Sequence, residues 1–269
     1  MLTSLFIGLG LYGLACAFLW LWQRHMIYFP TKASREVLAE WAREAGLDPW
    51  LNPAGQRIGW QRLSPTAPGR WRVLITHGNA GCAVHRSEYA RLLQAQAPAD
   101  VFILEYPGYG DRPGAPAERS LCLAAEEAFG LLGTNRPVYL VGESLGTGVA
   151  AHLAAAHPQQ VAGMLLIAPF NNFTAVARRH MALFPVRWLL RDRFPSDTWL
   201  KNYGGPVAVL LAGRDEVVPH ELGRKLYEGY AGPKRLWTDP RATHNDLFQQ
   251  PPQFWREAVE FWQQNSPAP

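Results

Sequence analysis

VYLVGESLGTGVAAHLA, Val138 to Ala154, changes character halfway along: an apolar run stops at Gly142, and an alanine-rich helical pattern begins after Ser144. A short buried strand followed at once by a helix is half of a parallel βαβ unit. Gly142-Glu143-Ser144-Leu145-Gly146 has the G-x-S-x-G form in that context. The sharp turn forces the serine into a strained conformation, and a Cβ at Gly142 or Gly146 would crowd neighbouring backbone. Gly148 and the alanines after it are expected to let the helix approach the sheet closely.

Working outward, further apolar runs at 72–76, 101–106, 163–168 and 207–213 alternate with helical patterns near 85–96, 119–132, 145–156, 220–230 and 252–264. This order implies an α/β class with a mostly parallel sheet flanked by helices. About 36 residues, Phe170 to Gly205, separate two of the strands, more than a crossover helix needs, so a short helical cap is expected at about 170–205. Its Arg178, Arg179, Arg187, Arg191 and Arg193 are interleaved with Leu183, Phe184, Trp188, Leu189 and Phe194. That pattern suits either a lipid-facing surface or cap helices packed on the domain with solvated arginines.

No residue from Leu2 to Trp22 is charged. At about 1.5 Å per residue, such a run of about 21 residues spans a hydrocarbon core of about 30 Å. Trp20, Trp22, Tyr28 and Phe29, with Arg24 and His25, mark a lipid–water boundary at its C-terminal end. A cleaved signal fits less well, because a basic n-region and a small-residue cleavage site are missing. The expected organisation is therefore a single-pass transmembrane anchor over 1–24 and one catalytic domain over 25–269. Arg24, Lys32 and Arg35 follow the helix, which by the positive-inside rule puts the domain in the cytoplasm.

The 269 residues carry a net charge of +4 with scattered basic residues and no RNA-binding aromatic motif, which argues against nucleic acid as a partner. Cys16, Cys82 and Cys122 are widely spaced and lack metal-ligand spacing, so no metal site is expected.

In an open α/β sheet, ligands sit at the carboxyl ends of the strands. Ser144 lies at such an end. His77-Gly78-Asn79-Ala80-Gly81 follows another strand, and its glycines let a backbone amide face the crevice. The amides of Asn79 and Leu145 are the expected oxyanion hole, while His77 fixes the loop. A serine hydroxyl needs a base, and the base needs a carboxylate to hold its tautomer. Asp215 in AGRDEVVP and His244 in RATHNDLF supply both, in the chain order Ser…Asp…His. His152, His157, His180 and His220 are less well placed. Asp246 is too near His244 to be the preferred orienter, and Asp239 reads as a loop charge.

With these residues in view, HGNAG, GESLGTG, AGRDEVVP and THND make the chain resemble the α/β-hydrolase superfamily over Trp60 to Gln264. YFP (28–30), EYPGYG (105–110) and FPVRWLLRDRF (184–194) look like a membrane-anchored branch with lysophospholipase-like and depalmitoylase-like members. The resemblance implies an α/β-hydrolase fold, Ser144 as nucleophile, Asp215 and His244 as its partners, and Asn79 and Leu145 as oxyanion donors. It implies hydrolysis of an ester or thioester through an acyl-enzyme without a cofactor. The expected partners are a small-molecule or acyl-chain ester and membrane lipid around the N-terminal helix.

Two other classes fit less well. A serine peptidase uses the same triad, but HGNAG lacks the second adjacent glycine of an HGGG loop, and there is no propeller domain to sieve peptides. A non-catalytic membrane-anchored binding protein would be expected to lack a triad member, and none is missing. Relatives with a carboxylate nucleophile are disfavoured by the serine itself.

Overall fold

The computed structural model describes residues 2–65, 69–133 and 135–266. Met1 and residues 267–269, at the two ends of the expected units, lie outside them.

The chain opens with α1 (Leu2–Ile27), which ends three residues beyond the expected anchor, and then β1 (Phe29–Pro30), α2 (Arg35–Glu44), β2 (Asp48–Leu51) and β3 (Arg57–Arg62). Next come β4 (Trp71–Thr76), β5 (Ala80–Gly81), α3 (Ser87–Gln94), β6 (Ala99–Leu104), α4 (Glu118–Leu132), β7 (Val138–Glu143), α5 (Leu145–Ala156) and β8 (Val161–Ile167). Three short helices, α6 (Phe173–His180), α7 (Val186–Leu189) and α8 (Ser196–Trp199), precede β9 (Val207–Ala212). The chain closes with α9 (His220–Gly229), β10 (Lys234–Asp239) and α10 (Pro252–Asn265).

Eight strands form one sheet in the order β10-β9-β8-β7-β4-β6-β3-β2. The six from β10 to β6 are parallel, and β3 and β2 add an antiparallel edge. Every residue of β6 and β9 is buried, which is why β9 and the Val101–Leu104 part of β6 read as apolar runs. Successive residues of β4 feed opposite cores: Leu74 joins the side packed by α4 and α5, while Val73 and Ile75 join the side packed by α3 and α10. On the second side Trp262 lies over Gly163, where a Cβ would meet the indole at 2.9 Å, and its Nε1 donates to the Met164 carbonyl at 3.1 Å.

The small parallel pair β1·β5 joins the segment after α1 to the His77–Gly81 loop. One expectation is corrected. Gly148 does not bring α5 to the sheet; a Cβ there would meet the Phe194 side chain at 2.9 Å, so this glycine admits the segment between β8 and β9. Phe194 is fully buried, whereas Leu183 and Trp188 of the same segment are 85% and 79% exposed. The segment therefore has both an inward, packed side and an outward apolar one.

Candidate active site

Ser144 sits in the turn from β7 into α5 with φ 51° and ψ −118°, a conformation that a non-glycine residue holds only when its surroundings enforce it. Its amide donates to the Ile167 carbonyl at 2.8 Å, and its carbonyl accepts from the Thr147 amide at 2.9 Å and hydroxyl at 2.6 Å. A Cβ on Gly146 would overlap the carbonyl oxygens of Thr76 and His77, and one on Gly142 would reach the Thr147 Cα at 2.7 Å. Both glycines are thus required by close backbone approach, as the sequence suggested. Thr76 closes the turn by donating its hydroxyl to the Gly146 carbonyl at 2.9 Å.

His244 Nε2 lies 3.0 Å from Ser144 Oγ, positioned to accept its proton, and His244 Nδ1 lies 2.7 Å from Asp215 Oδ2. Asp215 is aimed by its own loop, because Oδ1 accepts the amides of Val217 at 2.9 Å and Val218 at 2.7 Å. The carboxylate is almost wholly buried and the imidazole nearly so, so solvent competes little for these hydrogen bonds. The loops after β9 and β10 are laced together: the Gly213 amide donates to the Asp239 carbonyl at 2.7 Å and the Arg214 amide to the Ala242 carbonyl at 3.0 Å. Asp246 does not orient His244. It accepts the amide and hydroxyl of Thr243 at 2.8 and 2.6 Å, bonds that hold its carboxyl below the usual carboxylate range. Asp239 caps the same loop through the amides of Arg241 and Ala242.

The His77–Gly81 loop lies against the serine, since a Cβ on Gly78 would stand 3.5 Å from the Ser144 Cβ. Among the described residues, the amides of Asn79 and Leu145 donate to no protein acceptor and remain open to a ligand. Asn79 is fixed by its other groups. Its carbonyl accepts from the Phe29 amide at 2.9 Å and the Tyr109 hydroxyl at 2.6 Å, and its Nδ2 donates to the Ile27 carbonyl at 2.8 Å. His77 is fully buried against Tyr106 and Tyr109, with Nδ1 2.8 Å from the Gly78 carbonyl, and it steadies the loop.

The four other histidines weighed as partners of the serine are engaged elsewhere. His152 and His157 share the Glu126 carboxylate at 3.0 and 2.6 Å, His180 Nε2 bonds the Val217 carbonyl at 2.8 Å, and His220 begins α9 beside Glu221. No cluster of potential metal ligands occurs among the described residues.

The sequence alone shows no sign of Arg86 and no role for Glu143. Arg86, just before α3, pairs with Glu143 next to Ser144 through Nε at 2.6 Å and Nη2 at 3.2 Å. Arg86 also donates to the Ala80 carbonyl at 3.3 Å, so one guanidinium ties the serine turn to the neighbouring glycine loop. Only the separation of 57 positions along the chain concealed the pair.

A family model described as the alpha/beta hydrolase fold matches residues 72–198. An uncharacterised protein of Mycobacterium tuberculosis is 35% identical over 236 residues, covering 85% of this chain and 83% of that one. The lysophosphatidylserine lipase ABHD12 of Mus musculus is 32% identical over 223 residues, which are 74% of this chain; this chain spans 55% of that lipase. Among solved structures, an esterase of Pyrococcus furiosus superposes with a TM-score of 0.65 at 14% identity, covering 90% of this chain and 99% of that one, a likeness of fold. The match to the alpha/beta hydrolase family model, the lipase relatives, the strained serine turn and the sheet order together place this chain in the alpha/beta hydrolase superfamily.

Proposed function

We propose that the protein is a serine hydrolase that cleaves carboxylic ester or thioester bonds through an acyl-enzyme, and that its substrates carry lipid-type acyl chains. The observation that carries this reading is the continuous relay from Ser144 Oγ through the His244 imidazole to the Asp215 carboxylate, at 3.0 and 2.7 Å. In it, His244 takes the Ser144 proton as Oγ attacks the carbonyl carbon, and Asp215 stabilises the resulting imidazolium. The amides of Asn79 and Leu145 receive the developing oxyanion, each contributing on the order of 3 kcal/mol to the transition state. His244 then protonates the departing alcohol or thiol, and water activated by the same imidazole releases the acid.

The N-terminal helix is read as a single-pass anchor and the following domain, with its cap near 170–205, as cytoplasmic. The supporting feature is a 26-residue helix whose flanks expose Leu5, Phe6, Leu9, Leu14, Phe18 and Leu21. Leu2–Ile27 is long and apolar enough to cross a membrane. The lysophospholipid named for the murine relative supports an acyl substrate.

The test is covalent labelling of the full-length protein with a fluorophosphonate, alongside Ser144→Ala. Labelling of the wild type and its loss in the folded variant are expected. Persistent labelling at another residue would overturn the assignment of the nucleophile. External protease applied to intact cells tests the orientation, and digestion of the domain would reverse it.

A further inference from the structure

Between α1 and the segment that joins β8 to β9 lies a cavity of about 190 Å³. Leu19, Met26 and Ile27 line it on the α1 side, and Val176, Met181 and Leu189 on the other. The two polar side chains in its lining are both committed elsewhere. Gln23 donates to the Trp20 and Leu189 carbonyls at 2.8 and 3.0 Å and accepts the Arg191 amide at 2.8 Å, and His180 bonds the Val217 carbonyl. The lining is otherwise apolar, which suits an alkyl chain and not a polar solute.

Its position connects it to the serine from two directions. Ile27, in the α1 wall, accepts the Asn79 Nδ2 hydrogen bond through its carbonyl, and Asn79 belongs to the loop beside Ser144. His180, in the opposite wall, bonds the carbonyl of Val217, whose amide is held by Asp215. The walls are thus continuous with the loops flanking the site.

Tyr12 indicates what surrounds the cavity. Its hydroxyl donates to the Leu183 carbonyl at 2.9 Å, and its ring stacks on Phe184 at 5.8 Å. Tyr12 is twelve positions before Arg24, or about 18 Å along a helix axis, more than half of a hydrocarbon core of about 30 Å. If α1 spans a bilayer, the cap tip that touches Tyr12 is immersed beside it. Leu183 and Trp188, the most exposed large apolar side chains of this tip, are then solvated by lipid. At that depth the available apolar groups are acyl chains.

We propose that this cavity binds the acyl chain of a membrane lipid ester that enters laterally from the leaflet, with α1 itself as one wall of the binding site. The proposal rests on the reading of Ser144 as the nucleophile for where the ester carbonyl goes, but the binding of the chain can be observed without turnover.

The experiment uses full-length Ser144→Ala protein in phosphatidylcholine vesicles containing a lysophospholipid with a diazirine at the end of its acyl chain. After irradiation, labelled peptides are mapped by mass spectrometry. Label on residues 173–190 and on Leu19 or Met26 is expected, falling at least fivefold when Ala177→Trp or, from the opposite wall, Leu19→Trp fills the space. Label confined to the outward flank of α1, or indifferent to both substitutions, overturns the proposal. In protein retaining Ser144, Ala177→Trp should lower the ratio of palmitoyl to acetyl ester turnover at least tenfold, since each methylene buried is worth about fourfold. An unchanged ratio also overturns it. Because the photolabelling arm needs no catalysis, it succeeds or fails separately from fluorophosphonate labelling.

Discussion

Arg86 meets Glu143, the residue preceding Ser144, in a two-point ion pair at 2.6 and 3.2 Å. Burial works against the guanidinium charge, but the Glu143 carboxylate more than offsets it and keeps the Arg86 pKa above its ordinary value. Arg86→Ala would leave the Glu143 carboxylate with its partner gone and would release the Ala80 carbonyl. The expected cost is about 1–3 kcal/mol of stability by urea denaturation, with about a tenfold loss of kcat/KM on p-nitrophenyl butyrate. A double-mutant cycle with Glu143→Gln should show coupling of at least about 1 kcal/mol.

Asp215→Asn keeps the size of the side chain but changes which nitrogen of His244 carries the proton. A fall in kcat of about 10⁴-fold with little change in KM is expected. Asp246→Asn, whose partner is Thr243, should stay within tenfold of wild type. A larger loss in Asp246→Asn than in Asp215→Asn would mean that Asp246 and not Asp215 orients the imidazole.

Two glycine substitutions should move stability in opposite directions. Gly146→Ala forces a methyl into the carbonyls of Thr76 and His77 and should cost more than about 3 kcal/mol. Gly130→Ala, inside α4 with nothing within 4 Å of the added methyl, should gain about 0.5–1 kcal/mol. Thermal unfolding of both proteins measures the contrast.

The loop carrying His244 should be acid-sensitive. The Thr243 hydroxyl and amide lower the pKa of Asp246, so below the unfolded value of about 3.9 the unfolded chain binds the proton more readily. The stabilisation is therefore complete above about pH 4 and is lost as pH falls through the lower folded value. The Tm advantage of wild type over Asp246→Ala should shrink between about pH 4 and pH 2, and a constant difference would refute this account.

Arg24 holds the end of α1 to the segment between β8 and β9 through Asp192, at 3.0 and 3.2 Å, where the Tyr28 hydroxyl also donates at 3.0 Å. Burial, with the Asp192 charge beside it, pushes the Tyr28 pKa far up, so this phenol stays a neutral donor. Arg24→Ala strands a carboxylate that is almost wholly buried and should cost about 1–3 kcal/mol, read as a lower Tm in detergent.

The legible parts were those decided by short-range constraint. The turn at Ser144 needs glycines two positions on either side, and buried parallel strands must be apolar on both faces, so each leaves a local mark. Strands β2 and β3 left none: β2 has four residues including Pro49, and β3, RIGWQR, mixes buried Ile58 and Trp60 with polar ends. Helix α2 is equally muted, burying only Leu38 and Ala42 along its length. Gly148 shows a subtler limit, because spacing reveals that a small residue faces inward but not that Phe194 is what fills the gap. Glu143 made no sense until Arg86 arrived from another βα unit, and the contact between α1 and the segment before β9 spans more than 160 positions.

Between α1 and the loop beside the serine there is no slack. The Tyr28 amide still bonds the Arg24 carbonyl, the Phe29 amide bonds Asn79, and the Thr31 amide bonds Gly81. A flexible leash would let a tethered enzyme sweep a hemisphere and sample solutes at any angle. This chain is instead bolted to its helix, so tilting the helix tilts the site with it. In a bilayer such a mount fixes which way the serine faces. Turnover would then follow the mole fraction of ester in the adjoining leaflet, a quantity in two dimensions, and dilution of the surrounding water would leave it unchanged.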